Sequence, residues 1–209
     1  MGEGAERGRR KAVRKPKKAR PLDETSLRDL ALAYVARFAT TGAKLEGYLS
    51  RKLRERGVAE DEDGRVQAPD VGALVTRLIE LGYVDDEAYA RSKTRDLTAR
   101  GYGARRVEQA LWAAGVDENV REETAPGEAD TRRAAILLAK KRRFGPFRIP
   151  PEEEEPAEQS HKRREKQVAA MLRAGHKFEH ITFILDARGE DEIEQWLIEA
   201  EEEEGPQEW

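Results

Sequence analysis

The stretch from Ile79 to Ser92 restricts what this chain can fold into more than any other. It reads as a helix that ends, reverses tightly and starts again within a few residues. Leu78, Ile79 and Leu81 close an apolar stripe, and Gly82 follows where a residue with positive φ terminates a helix. Asp85 is placed to cap the next helix, with Asp86 and Glu87 in its first turn, where the macrodipole favours anions. With Asp85 as N-cap, Val84 and Tyr89 occupy the two positions of a hydrophobic staple. The carboxylates therefore read as caps of a rigid helix-turn-helix corner, in preference to metal ligands or acid–base groups.

The pattern around this corner is helical too. Leu27, Leu30, Ala31, Tyr34, Val35 and Phe38 recur on one helical face. Leu45, Tyr48, Leu49 and Leu53 make a second stripe, and Val71, Leu74, Val75, Leu78 and Ile79 a third, after an acidic loop at Asp61–Gly64. The unit recurs: Gly42 to Gly57, Gly101 to Gly115 and Gly175 to Gly189 each bracket a helix, with the closing glycines 58 and 74 residues apart. The expected fold is all-α, an elongated array of three tandem three-helix repeats with no sheet. Its segments are a disordered basic arm over 1–22, repeat one over 23–83 and repeat two over 84–143. A Pro/Glu-rich loop over 144–160, repeat three over 161–200 and an acidic tail over 201–209 complete it.

Composition suits this reading. Charged residues make up 39% of the chain and hydrophobic ones 38%, too little apolar material for one thick core but enough for thin helical layers in series. Cysteine is absent, which excludes disulfides and thiolate metal sites. No apolar run approaches the roughly 18 residues of a membrane span, and no apolar segment follows the basic N-terminus as a secretory signal requires. A soluble, cytoplasmic monomer is expected. Charge is strongly segregated: residues 1–20 hold nine Lys/Arg against Glu3 and Glu6, whereas 190–209 hold ten Asp/Glu and no base. A chain of net charge −3 can thus still present basic surface to a polyanion.

No catalytic constellation is present. The sequence lacks a phosphate loop with Lys-Ser/Thr, a His-Glu-x-x-His helix and a Gly-x-Ser-x-Gly elbow. His176 and His180 are one turn apart, yet no further ligand sits at a metal-binding spacing, so surface or half-buried histidines are expected, with no metal and no cofactor. Basic helices offer the better lead. Lys44, Arg51, Lys52, Arg54 and Arg56 crowd the second stripe; Arg91, Lys93, Arg95 and Arg100 follow the corner; Arg105 and Arg106 open the next helix. Taken singly, each is a solvated residue with helical partners such as Glu55 and Asp96. Taken together, equivalent positions in successive repeats can line a track for a nucleic-acid backbone. Tyr34, Phe38, Tyr48 and Trp112 fall on apolar stripes and are expected in the core, whereas Tyr83 and Tyr102 sit at turns that could contact a partner.

The run Leu81-Gly82-Tyr83-Val84-Asp85-Asp86-Glu87-Ala88-Tyr89-Ala90 resembles the signature of the RecX family, regulators of the RecA recombinase. Gly101-Tyr102-Gly103-Ala104-Arg105-Arg106-Val107 and Leu111-Trp112-Ala113-Ala114-Gly115-Val116 are similar to that family's next block. The resemblance spans roughly residues 27 to 189 and is strongest from 71 to 116. It marks Gly82, Tyr83, Asp85, Asp86, Tyr89, Ala90, Gly101, Gly103 and Gly115 as structural signature positions. The basic arm, the Pro/Glu loop and the acidic end depart from a typical member. What the resemblance implies is a curved array of three-helix repeats that binds RecA and its filament on single-stranded DNA. It implies repression of ATP hydrolysis, strand exchange and co-protease action, with duplex DNA bound at most non-specifically. The alternative is a helix-turn-helix transcriptional regulator of specific duplex DNA, but no helix is rich in the Asn and Gln that read base edges.

Overall fold

The computed structural model describes residues 20–60, 63–149 and 156–205. Among these residues the chain is all-α, with two isolated bridges, Leu22 with Val58 and Glu60 with Val66, and no strand. The helices are α1 (Glu24–Val35), α2 (Gly42–Arg56), α3 (Val71–Glu80), α4 (Asp86–Ala99), α5 (Ala104–Trp112) and α6 (Glu118–Glu123). They continue as α7 (Glu128–Arg142), α8 (Ala157–Arg173), α9 (Phe178–Asp186) and α10 (Glu190–Glu204), with a single 3-10 turn at Gly145–Phe147.

The apolar stripes converge on three separate cores. Leu27 and Ala31 of α1 meet Leu45 and Leu49 of α2 and Val75 and Leu78 of α3, with Tyr34 stacked on Tyr48 at 4.3 Å. Leu22 joins this core and is fully buried, its N–H donating to Gly57 O at 2.9 Å, so the basic arm ends before it; residues 1–19 of that arm lie outside the described residues. Ala90 and Leu97 of α4 pack with Val107 and Leu111 of α5 and with Ala114 and Val116. The third core joins Ala135, Ile136 and Ala139 of α7 to Met171 of α8, Ile181 and Ile184 of α9, and Ile193 and Trp196 of α10. Each core is thin, as a chain so rich in charge requires.

Two expected boundaries move. Helix α7 stands in the third core instead of closing repeat two, because its small Ala135 and Ala139 let α9 and α10 approach closely. The acidic run is helical through Glu204: Glu201 pairs with Arg133 at 2.5 Å, and Glu204 accepts hydrogen bonds from the backbone N–H groups of Glu128 and Ala129 at the start of α7. That helix begins at Gly127, which has no side chain to cap it, so a carboxylate from α10 takes the role. Residues 206–209 of the acidic tail, 150–155 of the Pro/Glu loop, and 61–62 of the acidic loop lie outside the described residues.

The corner forms as its residues require. Gly82 has φ +74, and Tyr83 N–H reaches back to Leu78 O at 2.9 Å while Gly82 N–H reaches Ile79 O at 2.8 Å, closing α3. Asp85 caps α4 by accepting from Ala88 N–H at 2.8 Å. The two staple positions reach different cores: Val84 is buried in the first, whereas Tyr89 packs against the second. The corner thus joins two layers and does not merely stiffen one helix end.

Polar contacts of helix ends fasten the layers. Between the first two, Thr41 Oγ1 donates to Ala114 O at 2.5 Å, and Gly42 N–H donates to Asp86 Oδ1 at 2.9 Å. Gly115 has φ +73, and a Cβ there would collide with Ala43. Between the second and third layers, Gly103 N–H donates to Ala174 O at 2.9 Å and Arg105 N–H to Gly175 O at 3.2 Å. Gly103 lies so close that a Cβ would run into the Gly175 carbonyl.

Candidate nucleic-acid interface

The basic side chains singled out by sequence divide by what they touch. Lys44 Nζ donates to the Tyr89 hydroxyl at 2.7 Å and lies 4.8 Å from the ring centre, tying α2 to α4. Arg51 and Lys52 pair with Glu55 at 3.8 and 2.6 Å, Arg91 with Glu87, and Arg100 with Asp96 at 2.8 Å. A hydrogen bond from Lys52 is the main cause holding the Glu55 carboxyl below its ordinary range. These are solvent-facing helical pairs of the kind that contributes little to stability, so a polyanion can recruit their cations at small cost. Arg54, Arg95, Arg105 and Arg106 are exposed and Lys93 and Arg56 half-buried. None of these six has a side-chain hydrogen bond or close ion pair among the described residues.

Aromatic residues depart from expectation. Tyr34 and Tyr48 are partly buried against the first core, but Phe38 is 56% exposed and Trp112 is 70% exposed. Trp112 sits on the last turn of α5, where Val107 and Leu111 already fill the inward face, leaving the ring to solvent. Phe38 lies just beyond α1, with its ring 5.3 Å from Tyr34. The exposed Tyr83, Phe38 and the half-buried Lys93 line a groove of about 620 Å³ at the signature corner, beside Asp85 and Asp96.

His176 and His180 also depart from expectation, since both are buried. His176 Nε2 donates to Gly101 O at 3.0 Å, which fixes the tautomer and leaves Nδ1 buried with no hydrogen-bond partner. Burial pushes its pKa down to about 4, against the pull of the Gly101 carbonyl, so it is neutral at pH 7. His180 Nε2 donates to Glu128 Oε1 at 2.8 Å, its ring set edge-on to Trp196 at 5.2 Å. Burial lowers its pKa more than Glu128 raises it. For Glu128 the largest influence, desolvation, pushes its pKa up. Hydrogen bonds from Lys177 at 2.9 Å and Arg132 at 2.8 Å, with the charges nearby, outweigh it and hold the pKa down at about 2. The cluster is a structural lock between α7 and α9. Among the described residues no group of three or more His, Cys, Asp or Glu is arranged to hold a metal ion. No helix among them is long and apolar enough to cross a membrane.

Sequence reasoning passed over one cationic group. Lys141 and Arg142 at the end of α7 meet Arg173 at the end of α8 and Arg100 beyond α4, around a pocket at the junction of the second and third layers. The Lys140–Arg143 run was visible in the sequence, but nothing local shows that Arg173 stands opposite it.

Comparison with known proteins adds a family to this geometry. The family model described as RecX, second three-helix domain, matches residues 85–124, the span of α4 to α6. Regulatory protein RecX of Myxococcus xanthus (strain DK1622) is 34% identical over 182 residues, covering 85% of this chain and 94% of that protein. Regulatory protein RecX of Thermus thermophilus is 38% identical over 113 residues, 54% of this chain and 71% of that one. The crystal structure of RecX from Lactobacillus salivarius superposes with a TM-score of 0.55 at 20% identity over 83% of this chain and 96% of that one. A second crystal structure of regulatory protein RecX gives 0.52, over 78% and 74%. At such identities the structures establish the shared fold. With a near-full-length relative at 34% identity and the second three-helix domain matched on α4 to α6, the chain belongs to the RecX family.

Proposed function

We propose that this protein is a non-enzymatic regulator that binds RecA and the RecA filament on single-stranded DNA. It chiefly inhibits recombinase, ATPase and co-protease activity during recombination and the SOS response. The observation that carries the reading is membership of the RecX family over 85% of the chain. The structure supports it in two ways. Three thin layers joined in series give a modular body suited to bridging neighbouring protomers of a helical filament. Lys44, Arg51, Lys52, Arg54 and Arg56 of repeat one, with Arg91, Lys93, Arg95, Arg100, Arg105 and Arg106 of repeat two, supply cations for phosphates or acidic protomer surface. Affinity is then salt-dependent and indifferent to base sequence. The protein acts in the cytoplasm as a monomer.

The test is RecA ATP hydrolysis on single-stranded DNA, titrated with this protein from substoichiometric to stoichiometric ratios. The expected result is a falling rate, with no nucleotide turnover by the protein alone. An unchanged RecA rate at saturation overturns the regulatory reading.

A further inference from the structure

Three helices end at one place. The C-termini of α4, α7 and α8 converge around a pocket of about 370 Å³, within the range of about 300–1,000 Å³ typical of ligand sites. Arg100, Lys141, Arg142 and Arg173 line it, together with the aromatic rings of Tyr102 and Phe144, and no carboxylate does. Cations belong at helix C-termini for a purely structural reason, since each such end carries roughly half a negative charge. That reason does not account for the full set. Three ends supply about −1.5 in all, and their last carbonyls already accept from backbone N–H groups, including Gly101 to Thr98 at 2.9 Å, Phe144 to Ala139 at 2.9 Å and Gly175 to Leu172 at 3.0 Å. Arg100 is further matched by Asp96 at 2.8 Å, and Lys141 donates to Arg100 O at 3.3 Å. Arg142 and Arg173 are exposed, each with no acceptor among the described residues.

We infer that this pocket is a phosphate-binding site at the joint between repeats two and three, taking one nucleotide unit of single-stranded nucleic acid. Arg142 and Arg173 hold the phosphate oxygens, and Tyr102, 38% exposed, offers its face to the adjoining base. The inference rests on the nucleic-acid part of the proposed function and assigns it a place. The walls come from both layers, with Tyr102 following α4 and Arg142 and Arg173 ending α7 and α8. The joint is fixed by the Gly103–Ala174 and His176–Gly101 hydrogen bonds, so the site is held ready before a ligand arrives.

The test uses the full-length protein and a fluorescein-labelled fifteen-residue oligothymidylate, with binding followed by anisotropy across a salt series. Replacing both arginines, Arg142→Gln with Arg173→Gln, is expected to weaken binding at least tenfold at low salt. It should also reduce the slope of log affinity on log salt by about 0.7, the value for one phosphate contact on a single strand. Tyr102→Ala is expected to weaken binding roughly five- to a hundredfold with the slope unchanged. Thermal melting confirms that the variants are folded. The exposed pair Arg28→Gln with Arg77→Gln, outside the pocket, controls for net charge and should leave affinity within twofold. Wild-type affinity and slope in the Arg142/Arg173 variant, or an equal loss in the control, overturns the site while leaving nucleic-acid binding intact. A second arm follows the backbone amides of residues 100–103, 141–144 and 173–175 by NMR as inorganic pyrophosphate is added. If the wild type binds no oligonucleotide but these amides shift, the pocket takes a free phosphate and the nucleic-acid reading fails. Silence in both arms overturns both.

Discussion

Asp86 Oδ1 accepts a hydrogen bond at 2.9 Å from the backbone N–H of Gly42, a residue 44 positions earlier that opens α2. The acidic first turn of α4 therefore serves the neighbouring repeat as well as its own helix. Asp86→Ala should destabilise the protein by roughly 1–2 kcal/mol, since it removes a charged acceptor and leaves a part-buried N–H short of its partner. Asp86→Asn, which keeps an acceptor, should recover part of the loss. Urea denaturation of the three proteins measures this, and equal midpoints would show that the contact contributes nothing.

At the corner itself, Asp85→Ala should cost roughly 0.5–2 kcal/mol through loss of the cap on Ala88 N–H. Gly82→Val should cost about 1 kcal/mol or more because a β-branched residue is strained at φ +74. Both variants should lose RecA regulation only as far as they unfold. An Asp85→Ala protein of full stability that no longer acts on RecA would make Asp85 a contact residue instead of a cap.

Gly103→Ala tests the second joint. Its φ of −81 suits any residue, so the expected penalty of about 1–3 kcal/mol comes only from forcing the new methyl against the Gly175 carbonyl. Gly47→Ala is the opposite case: it lies inside α2 with open space around it and should stabilise by roughly 0.5–1 kcal/mol. Melting both in parallel separates steric closure from helix propensity. A stable Gly103→Ala protein would mean the joint opens without cost.

His176 makes stability depend on pH. Its pKa falls from 6.5 in the unfolded chain to about 4 in the fold, so the unfolded chain takes up a proton first as the solution is acidified. Stability is complete above pH 6.5 and declines as pH falls toward 4, by about 2 kcal/mol between pH 8 and pH 5. His180, also lowered, acts in the same direction. Glu128, held at about 2 against an ordinary 4.5, adds stability above 4.5 that is lost as pH falls from there toward 2, so it does not blur the histidine window. Denaturation of the wild type and His176→Gln at pH 8, 6.5 and 5 should show a flatter dependence in the variant. Parallel curves would remove His176 as the cause.

Much of the local architecture was legible in the amino-acid order because its causes are local. A helix end needs Gly82 at positive φ, a helix start needs Asp85 two residues ahead of Glu87, and apolar spacing at Leu27, Leu45 and Val75 aims each stripe inward. These depend on residues a turn or two apart, so the all-α class and the chain's corners followed from periodicity and capping chemistry. Which layer each helix joins was decided only in three dimensions. Helix α7 went to the third core because its alanines fit α9 and α10. Trp112 was turned outward because Leu111 and Val107 filled the space its stripe implied. Glu204 caps α7 from 75 residues away, and Arg173 meets Arg142 only where two helix ends converge. Such pairings depend on how finished helices dock, and docking is set by shape and by unsatisfied backbone groups at helix ends. No window of sequence holds both partners at once.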